Sequence, residues 1–149
     1  MVIDVLKLKH SGKTELDFYF EHEVEDNLLL IPDAVIENPI KVSGALELHG
    51  DDVYIDGEIN CKIVGKCARC LEEAKCDFTE NFSVKYVRFN PDENEGEYLY
   101  KKGVVDLRYA VNEILTISAP PVIYCKDNCK GLCPLCGSNL NEKDCGCKN

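Results

Sequence analysis

Apolar and polar residues alternate through the first half of the chain. Over residues 14–20, Leu16, Phe18 and Phe20 share one side, the two-residue period of a half-buried strand. Residues 40–48 repeat it with Ile40, Val42, Gly44, Leu46 and Leu48. After a polar turn at Asp51-Asp52, residues 53–63 continue it through Val53, Ile55, Gly57, Ile59, Cys61 and Ile63. A further long strand is expected over residues 74–89, carrying Phe82, Val84, Tyr86 and Phe89. Residues 90–96 are polar, acidic and contain a proline, the composition of a surface loop.

The period then lengthens. Leu107, Ala110, Val111, Ile114 and Leu115 fall on one face of a helix. Asp106 stands where a carboxylate can cap the first free backbone donors, and Pro120-Pro121 cannot continue the helix. The expected fold is α+β: an antiparallel β-meander, curled toward a barrel, with one α-helix packed across it. The α+β domain is expected over residues 1–123. Residues 124–149 form a cysteine-rich tail, packed on or beside it, with few apolar residues and six cysteines. Hydrophobic burial alone cannot fold that tail, and a metal would supply the missing staple.

Composition sets the context for those cysteines. The chain has 149 residues and is 45% hydrophobic, enough to bury a core. It has no apolar run of the ~18 residues that a membrane span needs. Residues 1–10 mix Asp4, Lys7 and Lys9 with apolar side chains, unlike a secretory signal, so a cytoplasmic location is expected. In that reducing compartment ten cysteines point to metal or redox chemistry rather than structural disulfides.

The strongest local signal is Cys133-Pro-Leu-Cys136-Gly137, a tight turn in which both sulfurs can face one ion. Gly137 suits the left-handed backbone that such a turn requires. Cys145-Gly-Cys147 can complete a closed site of four thiolates at about 2.3 Å from zinc. A second pair, Cys67-Ala-Arg-Cys70, lies between two predicted strands and needs two further ligands. In one assignment Cys125 and Cys129 provide them, leaving Cys133, Cys136, Cys145 and Cys147 as a second site. In the other, Cys67 and Cys70 join Cys133 and Cys136 in one zinc ribbon. One or two structural zinc ions are expected, with iron the alternative metal.

If Cys67 faces Cys70 across a hairpin, Cys61 falls directly opposite Cys76. That is about 20 Å of strand from the turn, so both read as buried, inert core cysteines. Arg69 would be displayed at the hairpin tip with Lys62, Lys66 and Lys75 nearby, a local basic spot suited to a partner's phosphate. The bland alternative pairs Arg69 with Glu72 or Glu73.

Catalysis has little support. His10, His22 and His49 flank no plausible nucleophile, and no glycine-rich phosphate loop is present. A closed tetrathiolate site also leaves zinc no position for water. The chain is therefore expected not to be an enzyme and to have no small-molecule substrate. The net charge of -10 becomes about -14 once two divalent ions each sit among four thiolates. Such a chain favours a basic protein, or RNA already wrapped in one, over naked nucleic acid.

These residues resemble the bacterial YceD family. The resemblance rests on residues 57–71 leading into Cys67-Ala-Arg-Cys70-Leu71, on Asp106-Leu107, and on Val111-Asn112-Glu113-Ile114-Leu115 before the prolines. The ending Cys-Lys-Gly-Leu-Cys-Pro-Leu-Cys-Gly-Ser-Asn-Leu-Asn is similar to the family's longer, cysteine-rich branch. The resemblance implies a factor needed for accumulation of large-subunit ribosomal RNA. Its implied partner is that RNA, or a basic ribosomal protein in a pre-ribosomal particle. Some members lack counterparts of Cys133 to Cys147 but keep those of Cys67, Cys70 and Cys129, which implies a separable second site. Two other functions fit the residues: a generic zinc-dependent interaction adaptor, and a thiol redox protein or sensor acting through Cys67 and Cys70.

Overall fold

The computed structural model describes residues 1–25, 27–89 and 97–147. In chain order these form β1 (Val2–Asp4), α1 (Val5–His10), β2 (Glu15–His22), β3 (Val35–His49), β4 (Asp52–Lys66), β5 (Glu73–Val87), β6 (Glu97–Leu99), β7 (Val104–Asp106) and α2 (Arg108–Ser118). The loop expected over residues 90–96 lies outside the described residues.

The alternating pattern does form the predicted meander. Strands β2 to β5 pair antiparallel in sequence order, and β6 adds to β5 in parallel. The sheet stays open, with β2 at one edge and β6 at the other, so curvature toward a barrel does not become closure. A separate two-stranded sheet pairs β1 with β7. Strand β3 starts earlier than its pattern suggests. Its register with β4 shifts between Glu37 and Lys41, where the Asn38 side chain bonds Val24 N and O, each at 2.9 Å. That shift let residues 35–39 join the strand despite breaking the alternation.

One apolar cluster joins these elements. Ile40, Val42, Leu46, Val53, Ile55, Ile59 and Ile63 line the inner face of the sheet, and Val105, Leu107, Ala110, Val111 and Leu115 cover it. Helix α2 thus buries the face that its spacing predicts. Its N-cap position is Leu107 rather than Asp106, although the Asp106 carboxylate still accepts from Arg108 N at 3.1 Å. Two tyrosines tie the helix region to the sheet: Tyr86 Oη donates to Asp106 O at 3.0 Å and Tyr98 Oη to Glu113 at 2.8 Å. Helix α1 was not expected. Asp4 caps it by accepting from Lys7 N at 2.9 Å, and Val5 and Leu8 are its buried residues.

Two glycines pair at the centre of the sheet, Gly44 on β3 opposite Gly57 on β4. The missing side chains make room for the rings of Phe18 and Phe82. A Cβ on Gly44 would overlap the Asp56 carbonyl and stand 2.6 Å from Gly57 Cα. One on Gly57 would stand 2.6 Å from Phe82 Cζ and 2.8 Å from Ser43 O. Backbone cannot step aside as a flexible side chain can. Gly44→Ala should therefore cost about 1–3 kcal/mol of stability, read as a lower urea midpoint at unchanged slope.

Candidate metal centres

The β4–β5 hairpin ends in a six-residue knuckle. Cys67 N donates to Glu72 O at 2.8 Å, and Leu71 N donates to Cys67 O at 3.0 Å. Closing it requires a left-handed residue at position 71, and Leu71 supplies it with φ of 63°. The tail repeats the same turn: Cys133 N donates to Ser138 O at 2.8 Å and Gly137 N to Cys133 O at 2.8 Å. There Gly137 takes φ of 71°, the role its position after Cys136 suggested.

The knuckle changes the hairpin register. With Cys70 and Leu71 inside the loop, Cys67 faces Glu72, and every pair along the strands shifts by two residues on one side. Cys76 therefore lies opposite Ile63, and Cys61 opposite Phe78, rather than opposite each other. Both cysteines are half-buried against the core instead of fully buried. Burial pushes the Cys61 thiol up to about 11, with Cys76 adding to the effect.

Eight sulfurs gather in two groups. Cys67 and Cys70 meet Cys125 and Cys129, while Cys133 and Cys136 meet Cys145 and Cys147. Within each group the sulfurs lie within 4.8 Å of one another. Cys67 Sγ is 3.8 Å from Cys129 Sγ, and Cys70 Sγ is 3.6 Å from Cys125 Sγ. A tetrahedron with metal–sulfur bonds of about 2.3 Å has edges of about 3.8 Å, whereas a disulfide needs about 2.05 Å. Each tetrad could hold a metal ion. The single ribbon of Cys67, Cys70, Cys133 and Cys136 does not form.

Backbone and side-chain donors converge on the sulfurs, as thiolates require. Burial opposes ionisation of Cys67, yet N–H groups of Cys125, Arg69 and Cys70 outweigh it and bring the thiol down to about 6. Cys129 is lowered against burial by the Asn141 amide, whose Nδ2 donates to its Sγ at 3.3 Å, and by Gly131 N–H. Ser138 Oγ, 3.3 Å from Cys136 Sγ, helps its own backbone N–H bring that thiol down to about 6. Cys125 and Cys147 move the other way, to about 12 each. Burial leads at Cys125, and the neighbouring sulfurs Cys136 and Cys145 lead at Cys147. Four clustered sulfurs cannot all ionise without a cation between them.

Arg69 does not stand free at the hairpin tip. Its Nη1 donates to Asp127 O at 3.1 Å and Cys129 O at 3.2 Å, and its guanidinium lies 4.4 Å over the Tyr124 ring. It fastens the segment carrying Cys125 and Cys129 onto the knuckle carrying Cys67 and Cys70. The lysines around it also have carboxylates beside them. Lys62 lies 3.9 Å from Glu37 and 3.8 Å from Asp77, Lys66 3.0 Å from Asp33, and Lys75 3.6 Å from Glu73. Residues that sequence reasoning passed over do more here: Tyr124 stacks on Arg69, and Ser138 and Asn141 bond sulfurs. Their signal was faint, a tyrosine beside Cys125 and an Asn-Leu-Asn run after the second knuckle.

The equivalence of Leu71 and Gly137 has a measurable consequence. A left-handed leucine carries a steric cost that glycine lacks, and Leu71 is 61% exposed with little packing to lose. Leu71→Gly should stabilise the protein by about 0.5–1 kcal/mol in thermal or chemical unfolding, after the entropic cost of glycine is subtracted.

The sequence profile described as Large ribosomal RNA subunit accumulation protein YceD matches residues 55–149. An uncharacterized protein of Mycobacterium leprae (strain TN) is 25% identical over 108 residues, covering 68% of this chain and 49% of that protein. The chain thus spans about half the length of this curated relative. No solved structure matches. The profile runs from β4 through the hairpin knuckle, α2 and both tetrads, well over half of the sequence, and on that match the chain belongs to the YceD family.

Proposed function

We propose that this protein is a non-enzymatic, zinc-stabilised factor of ribosome biogenesis, acting in the cytoplasm to support accumulation or maturation of large-subunit ribosomal RNA. The observation that carries the reading is the family match, which includes both cysteine tetrads and the hairpin that supplies half of the first. Among the described residues no helix is long and apolar enough to cross a membrane.

Zinc is the ion that all-sulfur, closed tetrahedral knuckles favour, since it has no redox chemistry and no geometric demand beyond four ligands. Eight thiolates, four to each ion, would leave no open coordination position. The ions then act as staples for a tail that lacks its own core. The partner belongs to a pre-ribosomal particle, as the family's link to ribosomal RNA suggests. Because Arg69, Lys62, Lys66 and Lys75 have partners within the chain, the contact with that particle runs through one of its basic proteins in preference to bare phosphate.

Elemental analysis of the purified protein should give close to two zinc ions per chain. Cys70→Ser and Cys147→Ser should each lose one ion. Only Cys70→Ser should also lose most of its stability, because Cys70 is buried and Cys147 exposed. Two ions lost together from either variant, or none at all in the native protein, would refute separate sites.

Asn141→Ala should leave both ions in place at neutral pH but weaken one of them about 10–100-fold against a chelator. Second-sphere donors to a ligand have effects of that size. The readout is the rate of zinc transfer to a colorimetric chelator.

The cellular role is tested by crosslinking, purification of the tagged protein, and identification of what comes with it. Enrichment of large-subunit ribosomal RNA or proteins over those of the small subunit supports the proposal. Recovery without ribosomal material would overturn it in favour of a generic zinc adaptor.

A further inference from the structure

The free edge of the sheet is strand β2, eight residues from Glu15 to His22. Leu48 N donates to Thr14 O at 2.8 Å, which fixes the phase of the β2–β3 ladder. Every second residue from Thr14, that is Leu16, Phe18, Phe20 and His22, exchanges its backbone bonds with β3. The N–H and C=O groups of Glu15, Asp17, Tyr19 and Glu21 therefore point off the edge. Among the described residues no strand pairs with that side of β2.

The two faces beside this edge differ sharply. On the outer face the side chains of Glu15, Asp17, Tyr19 and Glu21 are all exposed. The next strands continue the face with Glu47, Asp56 and Glu58, and with Lys41 as the cation on those rungs. On the inner face Leu16, Phe18 and Phe20 open into a groove of about 430 Å³, shared with Ile3 and Leu8. Leu16 is 38% exposed there. Lys7 and Lys13 outnumber Asp4, the cap of α1, among the charged residues lining the groove, so a cation pointing inward is disfavoured. The phase of any added strand follows: cations outward against the carboxylates, apolar side chains inward.

We propose that the β2 edge binds an extended segment of a basic protein, one that alternates lysine or arginine with apolar residues, as an added antiparallel strand. The backbone ladder supplies affinity, and the two faces supply selectivity. A second copy of this chain is a poor occupant. Antiparallel self-pairing sets Glu15 against Glu21, Asp17 against Asp17, or Asp17 against Glu21, depending on register, and like charges directly opposite oppose pairing. The inference rests on the edge and its charges alone, and it stands whether or not the partner is ribosomal.

The test uses the full metal-loaded chain and a labelled eight-residue peptide alternating lysine and valine. A peptide of the same composition with its lysines and valines in two blocks serves as control. Anisotropy should show the alternating peptide binding at least ~10-fold more tightly, since only it matches both faces at once. Amide exchange by NMR should slow at Glu15, Asp17, Tyr19 and Glu21 when it binds. Asp17→Lys with Glu21→Lys should weaken binding ~10-fold or more without disturbing the fold, as both side chains are exposed. Asp17→Pro, which removes an outward N–H, should abolish protection along the edge. Equal binding of the two peptides, unchanged exchange at the four amides, or their protection in a homodimer without peptide would each overturn the proposal. None of these results depends on ribosomal material, so this failure and failure of the biogenesis reading are distinguishable.

Discussion

The structure turns on four sulfurs that meet between the tip of the β4–β5 hairpin and the chain leaving α2. Strands β4 and β5 are fifteen residues each, and their hairpin carries Cys67 and Cys70 to its far end. The returning chain brings Cys125 and Cys129 to the same point. Little else could hold it there. Beyond Pro121, among the described residues, only Ile123, Cys129 and Leu132 join the core, so the sulfur cluster and the Arg69 clamp set the path of the tail. Ala68 N bonding Ile123 O and Leu132 N bonding Arg69 O then stitch that path down, at 2.9 and 3.2 Å.

The two tetrads are built alike but placed unlike. In the first tetrad Cys67, Cys70 and Cys129 are at most 5% exposed and Cys125 alone is exposed, whereas in the second Cys133 alone is buried and Cys136 and Cys147 are exposed. An ion in the first tetrad would be part of the core, and its loss would leave buried thiols without partners. An ion in the second would order a surface loop. The two remain connected, because Asn141, held in the loop of the second, donates to the Cys129 sulfur of the first. Lys130 N also donates to Asn141 Oδ1 at 2.9 Å, so the amide is fixed from both ends. The outer loop acts as a lid of hydrogen bonds on the inner site.

Strand existence and strand faces were legible in the sequence, since a two-residue period needs no knowledge of partners. So were the face of α2 and the pairing of Cys133 with Cys136, both set by local spacing. What escaped depended on backbone detail or on distant residues. Leu71 gives no sign that it will turn left-handed, as a glycine would, and the wider loop it closes moved the hairpin register by two residues and separated Cys61 from Cys76. Helix α1 spans six residues, of which Val5 and Leu8 are buried and Leu6 is exposed, too little for a period to emerge. Sheet closure depends on register shifts such as the one at Glu37 and Lys41, which alternation does not encode. The partners of the basic spot were hidden for another reason: Lys62 and Lys66 lie beside Glu37 and Asp33, close in space but about thirty residues away in sequence.

That neutralisation shapes the surface as a whole. Around the hairpin tip Arg69, Lys62, Lys66 and Lys75 each have a carboxylate or carbonyl beside them, so these four cations do not form an open basic patch. Much of the excess of 27 acidic over 17 basic side chains lies on the outer sheet face from β2 to β4. Folding has separated two properties that composition merges into one number. One end is a sulfur-built scaffold whose nearby Arg69, Lys62, Lys66 and Lys75 are partnered internally, and one edge is acidic with outward backbone groups. The first cysteine tetrad sits at the tip of the β4–β5 hairpin, the longest ladder of that sheet.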